Sequence, residues 1–450
     1  MLIKNAHIVN YDKSFISDIL IRAEIIESIS ENISLPGEEI IDAKGYYVFP
    51  GGIDVHTHFE LPVGSTVSSD DFKSGTKAAI SGCTTSIIDF TTPAKGESLL
   101  TNLDERLKLA EKSFCDYSLH IGITYYGENT ENEISECIKR GFTSFKIYMA
   151  YKDSIGLNDD DVQKVLKAVE IAGGTVLVHC EDGDKIEELR EKFVSEGKTQ
   201  PLFHSLSRPP ETETDAVKKI LSYANEIPVK IYIVHTSAKN SVEEIRKAKR
   251  TNKNIFSETC TQYLILNEEK YNLPGFESAK YVMSPPLRPE EHRLALWNAI
   301  KDNVISVVST DHCPFNYKGQ KENGINDFTK IPNGAGGVEN RLQLLYTYGV
   351  LGNKISLNKF VEITSYNPAK IFGLLPRKGI IAEGSEADII IWNPEKEITI
   401  SADTQIQNCD YNLYEGMKIK GSPEYVIKNG NIVFSNEKHY EEKGNLLKRE

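Results

Sequence analysis

Short apolar segments alternate with amphipathic segments of helical period between residues 51 and 375, and this alternation limits the possible folds more than any other feature. The strand-like segments, with the helical segments that follow them, are 84–90 with 99–113, 118–125 with 131–140, 143–149 with 160–172, 175–179 with 185–197, 229–235 with 241–251, and finally 305–310. Repeated strand–helix units indicate a parallel sheet with helical crossovers. About six or seven units fit a (β/α)₈ barrel better than a doubly wound sheet, for which a Gly-x-Gly-x-x-Gly turn is expected. No such turn follows a strand here.

The two ends of the chain share a β-like pattern that the middle lacks. The strand-like segments are 2–9, 19–29 and 40–48 at one end, and 387–392, 397–400 and 425–434 at the other. We therefore expect an α/β protein, in which a TIM-like (β/α)₈ barrel spans 51–375 and a small β-sandwich domain is formed by 1–50 together with 376–450. The charge-rich segment 437–450 is expected to be a solvated arm or an oligomer contact.

The composition excludes several classes of function. With 52 basic and 65 acidic side chains the formal net charge is -13, which provides no basic surface for nucleic acid or for an anionic membrane. No segment approaches the ~20 apolar residues of a membrane span, and residues 1–10 lack the apolar core of a signal peptide. The 7 cysteines are scattered without a Cys-x-x-Cys pair, as is typical of free thiols in a reducing compartment. We expect a cytoplasmic protein that binds neither nucleic acid nor a membrane.

Four histidines and one aspartate lie where predicted strands end: His56, His58, His179, His235 and Asp311. His56 and His58 face the same side of an extended segment because side chains at i and i+2 do so. The C-terminal ends of barrel strands meet at one face, so we expect these five side chains to converge on a metal. Imidazoles and a carboxylate suit zinc best, and manganese, cobalt or nickel accept the same ligands.

Lys146 interrupts the apolar strand that runs from residue 143 to residue 150. A protonated amine is costly to bury and has no lone pair for a cation. One explanation for a lysine at this position is that it extends its charged end to solvent from the end of the strand. The position of Lys146 between His58 and His179 in the strand order favours a second explanation, in which CO₂ carboxylates the lysine and the product bridges two metal ions.

These residues, in this order, resemble the cyclic-amidohydrolase branch of the amidohydrolase superfamily, and most closely the dihydropyrimidinase/D-hydantoinase family. The resemblance covers nearly the whole chain. The segments that carry it are 49–58, 145–152, 258–264, 284–288, 311–313, 328–334 and 378–388. The most discriminating is Met149-Ala150-Tyr151-Lys152, close behind the lysine.

The resemblance implies a metal-dependent enzyme that opens the ring of 5,6-dihydropyrimidines, of 5-substituted hydantoins, or of both, to give the N-carbamoyl amino acid. It implies two Zn²⁺ ions per subunit, bridged by N6-carboxylated Lys146 and by a hydroxide that attacks the ring. The remaining ligands would be His56, His58 and Asp311 for the more buried ion, and His179 and His235 for the more exposed one.

The same resemblance implies roles for other residues. Asp311 would carry the proton of the hydroxide to the leaving nitrogen, and Tyr151 would donate a hydrogen bond to the developing oxyanion. Backbone groups at Ser284 and Asn333 would hold the imide edge of the substrate. The positions that would face the exocyclic substituent are Val63, Tyr148 and Ile155. Alternatively, Val63 and Ile155 only pack within their loop. Relatives are usually homotetramers, so we expect a homotetramer or a homodimer.

Three alternatives share this fold. A dihydroorotase-like enzyme should carry an arginine soon after His-x-His, whereas Phe59-Glu60-Leu61-Pro62 follows here. Allantoinase relatives lack the tyrosine that corresponds to Tyr151. Non-catalytic dihydropyrimidinase-like scaffold proteins have lost metal ligands, whereas every ligand position is filled in this chain. These differences favour the dihydropyrimidinase/hydantoinase activity.

Overall fold

An eight-stranded parallel sheet forms the centre of the computed structural model, which describes residues 1–449. Its strands in chain order are Gly52–Thr57, Thr84–Phe90, Asp116–Gly122, Ser144–Tyr148, Thr175–His179, Lys230–Ile233, Ile255–Cys260 and Val307–Ser309. Strands that follow one another in this order are neighbours in the sheet. A parallel bridge between Thr57 and His312 brings the two edges of the sheet together. The predicted (β/α)₈ barrel is confirmed.

Helices connect the strands and surround the sheet. The α-helices are Phe72–Ser81, Leu99–Ala110, Thr130–Lys139, Asp159–Ala172, Gly183–Ser195, Leu202–Leu206, Pro210–Glu226, Lys239–Thr251, Thr261–Ile265, Glu290–Lys301, Arg341–Leu345, Leu357–Val361 and Asn367–Ile371. Short 3₁₀ or π segments are Glu268–Asn272, Glu277–Tyr281, Lys321–Gly324, Phe328–Lys330, Tyr346–Leu351 and Glu362–Tyr366. In the described part of the chain, no helix is both long and apolar enough to cross a membrane.

Local sequence signals explain where the helices begin and end. For the helix Asp159–Ala172, the side chain of Asn158 accepts a hydrogen bond from the backbone N–H of Asp161 at 2.9 Å. Gly173 ends the same helix with a φ of 82°, in the left-handed region that glycine adopts without strain. The predicted helix 160–172 therefore differs from the observed one by a single residue at its start.

One barrel strand was not predicted. The strand Ile255–Cys260 carries Ser257, Glu258 and Thr259 in succession, so its sequence lacks the apolar run by which the other strands are recognised. All three side chains are nevertheless buried, and each has a hydrogen-bond partner on a neighbouring strand or within three residues of one. A polar strand of this kind is stable only where each buried polar group has a partner.

A second sheet takes its strands from both ends of the chain. They are Leu2–Val9, Ser14–Arg22, Ile25–Ser30, Ile40–Asp42, Tyr47–Pro50, Ile389–Thr399, Lys418–Lys428, Asn431–Ser435 and Lys438–His439. A separate small hairpin is formed by Pro62–Val63 and Thr66–Val67. The nine-stranded sheet encloses its own apolar cluster, which includes Ile8, Ile19 and Ile389, and it fits the predicted small β-sandwich.

Turns divide this sheet differently from the prediction. Segment 19–29 contains parts of two strands, which are separated by a turn at Ala23 with a φ of 49°. Segment 40–48 is likewise interrupted between Asp42 and Tyr47. Conversely, 387–392 and 397–400 belong to one strand, whose pairing with its neighbour is irregular between Asn393 and Glu397.

Buried charges join the two sheets. Lys378 Nζ lies 2.5 Å from Asp116 Oδ2, on a barrel strand, and 2.8 Å from Asp388 Oδ2, beside the second sheet. All three side chains are buried, so removal of one would leave an unpaired charge in the interior. The division of the chain into 1–50 with 376–450 and 51–375 stays a prediction.

The segment 445–449 packs against the barrel. Leu447 is fully buried in the apolar cluster that contains Val55 and Phe90, and its backbone N–H donates to the Tyr117 carbonyl at 2.7 Å. The Arg449 guanidinium donates to hydroxyls on two barrel strands. The expectation of a solvated arm is therefore wrong for these residues, because an apolar side chain and backbone hydrogen bonds attach them to the barrel. Residue 450, the last of the predicted arm, lies outside the described residues.

Candidate metal centre and active site

All predicted metal-binding side chains lie at the C-terminal end of the barrel. They are His56, His58, Lys146, His179, His235 and Asp311. Each lies on a barrel strand or within two residues of its end. The cavity that they line has a volume of about 310 Å³. It is also lined by the other residues predicted to form the site, which are Val63, Tyr148, Tyr151, Ile155, Ser284 and Asn333.

His56, His58 and Asp311 form the tightest group. The Nε2 atoms of the two imidazoles lie 3.2 Å and 3.1 Å from Oδ1 of the aspartate. Within residues 1–449, this is the one set of three or more His, Cys, Asp or Glu residues whose ligand atoms lie within 4.8 Å of one another. Although burial opposes ionisation, the two imidazoles hold the pKa of Asp311 below its usual value. Two nitrogens and a carboxylate in this arrangement fit one metal ion.

His179 and His235 form a second potential ligand pair. Nδ1 of His179 lies 2.9 Å from Nε2 of His235, and burial lowers the pKa of both imidazoles, so both rings are neutral near pH 7. Nε2 of His179 lies 2.8 Å from Oε2 of Glu181. Burial alone would raise the pKa of this glutamate, but Arg208 lowers it to about 2. The carboxylate therefore accepts the Nε2 proton of His179 and leaves Nδ1 as the ligand atom.

Glu258 orients His56 in the same way. One oxygen of Glu258 contacts Nδ1 of His56 and accepts the backbone N–H of His235 at 3.1 Å, and the other accepts the Tyr232 hydroxyl at 2.8 Å. Because Nδ1 of His56 is engaged with the glutamate, Nε2 is the atom that faces Asp311. Burial raises the pKa of Glu258 to about 7. One carboxylate thus fixes a histidine from each of the two ligand groups.

Lys146 lies in the middle of the strand Ser144–Tyr148 and is 1% exposed. Its Nζ atom is 5.3 Å from the ring centre of Phe90 and 5.2 Å from that of Tyr148. Burial lowers the pKa of Lys146 to about 8, which increases the fraction of neutral amine at neutral pH. A neutral amine is the form that adds CO₂. Carboxylation would turn a buried base into an anionic group beside two sets of imidazoles.

Three residues of the pocket have a left-handed backbone. The φ angles are 59° at Tyr151, 37° at His235 and 53° at Asp311. Non-glycine residues adopt this region rarely, and the cost is on the order of 1–3 kcal/mol where the surroundings impose it. Each of the three follows a barrel strand, so the chain turns sharply where it enters the pocket. Such conformations cluster at functional sites.

Tyr151 lies where the 310 Å³ cavity meets a second cavity of about 420 Å³, and its side chain lines both. Its ring centre is 5.4 Å from that of His179 and 5.2 Å from the guanidinium carbon of Arg208. Val63 and Asn333 also line both cavities. The Tyr151 side chain is therefore beside one of the two potential ligand groups, where the two cavities adjoin.

Sequence reasoning gave no role to three charged residues near the ligands: Glu181, Arg208 and Glu258. Only Glu181 carried a usable signal, because it comes two residues after a predicted ligand. Glu258 carried none, because its strand lacks the apolar run by which the other strands are recognised. Arg208 lies in a loop between helices without a local pattern, and only its ion pair with Glu181 at 2.6 Å identifies it.

Comparisons with known proteins identify the family of the chain. The model of the amidohydrolase family matches residues 47–433. A D-hydantoinase of Geobacillus stearothermophilus is 44% identical over 434 residues, which cover 96% of this chain and 92% of that protein. A dihydropyrimidinase of Dictyostelium discoideum is 40% identical, over 97% of this chain and 88% of that protein. The solved structure of dihydropyrimidinase from Brevibacillus agri NCHU1002 matches with a TM-score of 0.98 at 40% identity, over 100% of this chain and 98% of that one. The chain therefore belongs to the amidohydrolase family and, within it, to the dihydropyrimidinase/D-hydantoinase family of cyclic amidohydrolases.

Proposed function

We propose that the enzyme hydrolyses the ring amide of 5,6-dihydropyrimidines, of 5-substituted hydantoins, or of both, to the N-carbamoyl amino acid. The observation that carries the proposal is the convergence of four histidines, Asp311 and Lys146 on one cavity at the C-terminal end of the barrel. The full-length relatives named D-hydantoinase and dihydropyrimidinase support this class of substrate.

We also propose two Zn²⁺ ions per subunit, bridged by N6-carboxylated Lys146. The donor set supports this choice, since it consists of imidazoles and a carboxylate without thiolates, and Mn²⁺, Co²⁺ or Ni²⁺ suits the same ligands. The more buried ion would be held by His56, His58 and Asp311, and the more exposed one by His179 and His235. When bound, such ions supply a nucleophile at neutral pH and polarise the ring carbonyl.

Residues of this chain would carry out the proton and charge transfers. Asp311 is ionised at neutral pH because its pKa is lowered, so it can accept the proton of the attacking water and return it to the ring nitrogen as the C–N bond breaks. Tyr151 would donate a hydrogen bond to the carbonyl oxygen as negative charge develops there. The backbone of Ser284 and of Asn333 would hold the imide edge and fix the ring in the pocket.

The exocyclic substituent of the ring would contact Val63, Tyr148 and Ile155. All three line the cavity, and Val63 does so from the hairpin formed by Pro62–Val63 and Thr66–Val67. Two aliphatic side chains and one aromatic ring form an apolar wall, which suits an apolar substituent better than a charged one.

The proposal is tested by measuring the opening of dihydrouracil and of hydantoin before chelation, after chelation and after zinc is restored. Chromatography of the N-carbamoyl product gives the rate. We expect activity on at least one ring, its loss in the chelated protein and its return with zinc. Zinc-loaded protein that opens neither ring would refute the function. Full activity in metal-free protein would refute the metal requirement alone.

Two further properties are proposed from the resemblance. The chain would assemble as a homotetramer or a homodimer, which light scattering on purified protein measures directly. The chain would also divide into a barrel over 51–375 and a β domain from 1–50 and 376–450. Limited proteolysis that releases the barrel as one fragment would support this boundary.

A further inference from the structure

Lys321 is a fully buried lysine outside the metal-binding cluster. Its Nζ atom donates three hydrogen bonds of 2.8 Å, to the backbone carbonyls of Val282, Pro332 and Gly334. Three donors on one ammonium therefore engage three backbone acceptors. These acceptors belong to two segments that are about 50 residues apart in sequence, around residue 283 and around residue 333.

The three carbonyls flank the two residues proposed to bind the ring edge. Val282 comes two residues before Ser284, and Pro332 and Gly334 lie on either side of Asn333. The Gly334 N–H also donates to the Val282 carbonyl at 3.1 Å, so the segments are joined directly as well as through the lysine. Lys321 thus holds together the two walls of the pocket that would contact the imide.

Neighbouring carbonyls in the first segment are fixed by other buried side chains. His204 Nε2 donates to the Met283 carbonyl at 2.9 Å, and the Tyr263 hydroxyl donates to the Pro285 carbonyl at 2.6 Å. Within residues 1–449, the backbone groups of Ser284 and Asn333 take no part in such bonds, and the Ser284 hydroxyl is buried without a partner. The polar groups that line the cavity are therefore free for a ligand, whereas those beside them are occupied.

A buried lysine connects these two segments at the cost of desolvating its charge. Burial lowers the pKa of Lys321 to about 7, and no carboxylate forms a salt bridge with it among the described residues. An apolar side chain of similar length would fill the same space without the desolvation penalty of a charge. In return, the lysine donates to three carbonyls that an apolar side chain would leave without these hydrogen bonds, and one ammonium fixes the separation of all three.

We propose that Lys321 is a positioning residue, which sets the spacing between the backbone of Ser284 and that of Asn333 so that both engage the imide edge of a cyclic amide. The inference rests on the proposed function, because it assigns these two segments to substrate binding. Backbone contacts to the edge of the ring stabilise the bound substrate and the transition state alike, so their loss should raise KM and leave kcat nearly unchanged.

The test compares Lys321→Met with Lys318→Met, an exposed lysine three residues earlier in the same loop. We expect KM for the ring substrate to rise about tenfold or more in Lys321→Met, with kcat and zinc content close to those of the parent. Lys318→Met should retain the parent KM. Lys321→Gln, which keeps two amide donors, should show a smaller rise.

Amide hydrogen exchange provides a readout that needs no substrate. In Lys321→Met, exchange should increase in 281–287 and 331–335, while the barrel strands retain the protection of the parent. If the parent enzyme opens no ring, the proposed function is refuted. The exchange pattern would then still test whether Lys321 positions the two segments. The inference is overturned by a folded variant with the KM and exchange of the parent. It is also overturned if both variants at this position fail to fold, since the lysine would then serve the fold as a whole.

Discussion

Nδ1 of His179 and Nε2 of His235 lie 2.9 Å apart, on neighbouring barrel strands or just past their ends. Two neutral imidazole nitrogens in this position are ready to share one cation, and Glu181 fixes the tautomer of the first ring. The pair is therefore a second potential ligand group, separate from the cluster that contains Asp311.

Substitution of His179 should remove one metal ion and leave the other. We expect His179→Asn to reduce bound zinc from about two ions per chain to about one, because the more buried ion keeps its own ligands. Mass spectrometry of metals after dialysis gives the count. The control is His7→Asn, in the second sheet, which should keep the zinc content of the parent. Retention of both ions in His179→Asn would show that this ring is not a ligand.

Lys146→Ala should lower both zinc content and ring opening sharply, because no bridging carboxylate can form. A short-chain carboxylic acid in the buffer should restore part of the activity by occupying the space of the missing group. Carbon-13 NMR of parent protein supplied with labelled bicarbonate should show a carbamate signal that is absent from the variant. Lys152→Ala, at a partly exposed position nearby, is the matched control. Undiminished activity in Lys146→Ala would remove the carbamate from the mechanism.

Tyr151→Phe should reduce kcat on the order of 10²-fold, the usual effect of losing one oxyanion donor. The ring and its packing against Arg208 are preserved, so stability and zinc content should stay close to the parent values. Steady-state kinetics on a ring substrate measures the effect. Tyr125→Phe removes a hydroxyl from an exposed tyrosine and should leave kcat unchanged. Equal turnover in both variants would leave the Tyr151 phenol without its proposed role.

His204 should contribute to the loss of stability in acid. Burial lowers the pKa of His204 from 6.5 to about 3, so the unfolded chain binds a proton more readily than the folded one between these values. The contribution is therefore complete above about pH 6.5 and declines as the pH falls towards 3. Between pH 7 and pH 5, the free energy of unfolding should fall by about 2 kcal/mol more in the parent than in His204→Gln. Urea unfolding at both pH values measures this difference. An equal fall in the free energy of unfolding in the parent and in His204→Gln would contradict the prediction.

Leu447→Ala should destabilise the protein by about 2–5 kcal/mol, because it opens a cavity in the apolar cluster within the barrel. The adjacent Leu446 is 37% exposed, and Leu446→Ala should change stability by only about 0.5 kcal/mol. Chemical unfolding of the two variants compares a buried and an exposed leucine in one segment. Equal effects would mean that segment 445–449 does not dock in solution as it does in the structure.

Much of the barrel is predictable because its strands are locally distinct. The strand Thr175–His179 is an apolar run that ends in a ligand, and the observed bounds equal the predicted ones. The strand Ile255–Cys260 escapes such reasoning, because the hydrogen-bond partners of its buried polar residues come from distant parts of the sequence. The docking of Leu447 is equally non-local, since it depends on a cluster of residues from the whole barrel.

The placement of the proposed ligands at one pocket was likewise predictable, whereas that of the groups that orient them was not. A histidine at a strand end is visible in the sequence, and the order of the strands determines which ligands meet. Glu258 and His56 are separated by 202 residues, so their contact has no local signature. Lys321 resembles any lysine of a polar loop until its three carbonyl partners are known.

The left-handed backbone at Tyr151, His235 and Asp311 sets stability against activity. Glycine at any of these positions would relieve the torsional strain, but at the buried His235 it would also leave a cavity. It would also delete an oxyanion donor, a metal ligand or a proton carrier of the proposed reaction. Engineering for thermal stability should therefore exclude these three positions, because the strained backbone carries the side chains of the proposed reaction.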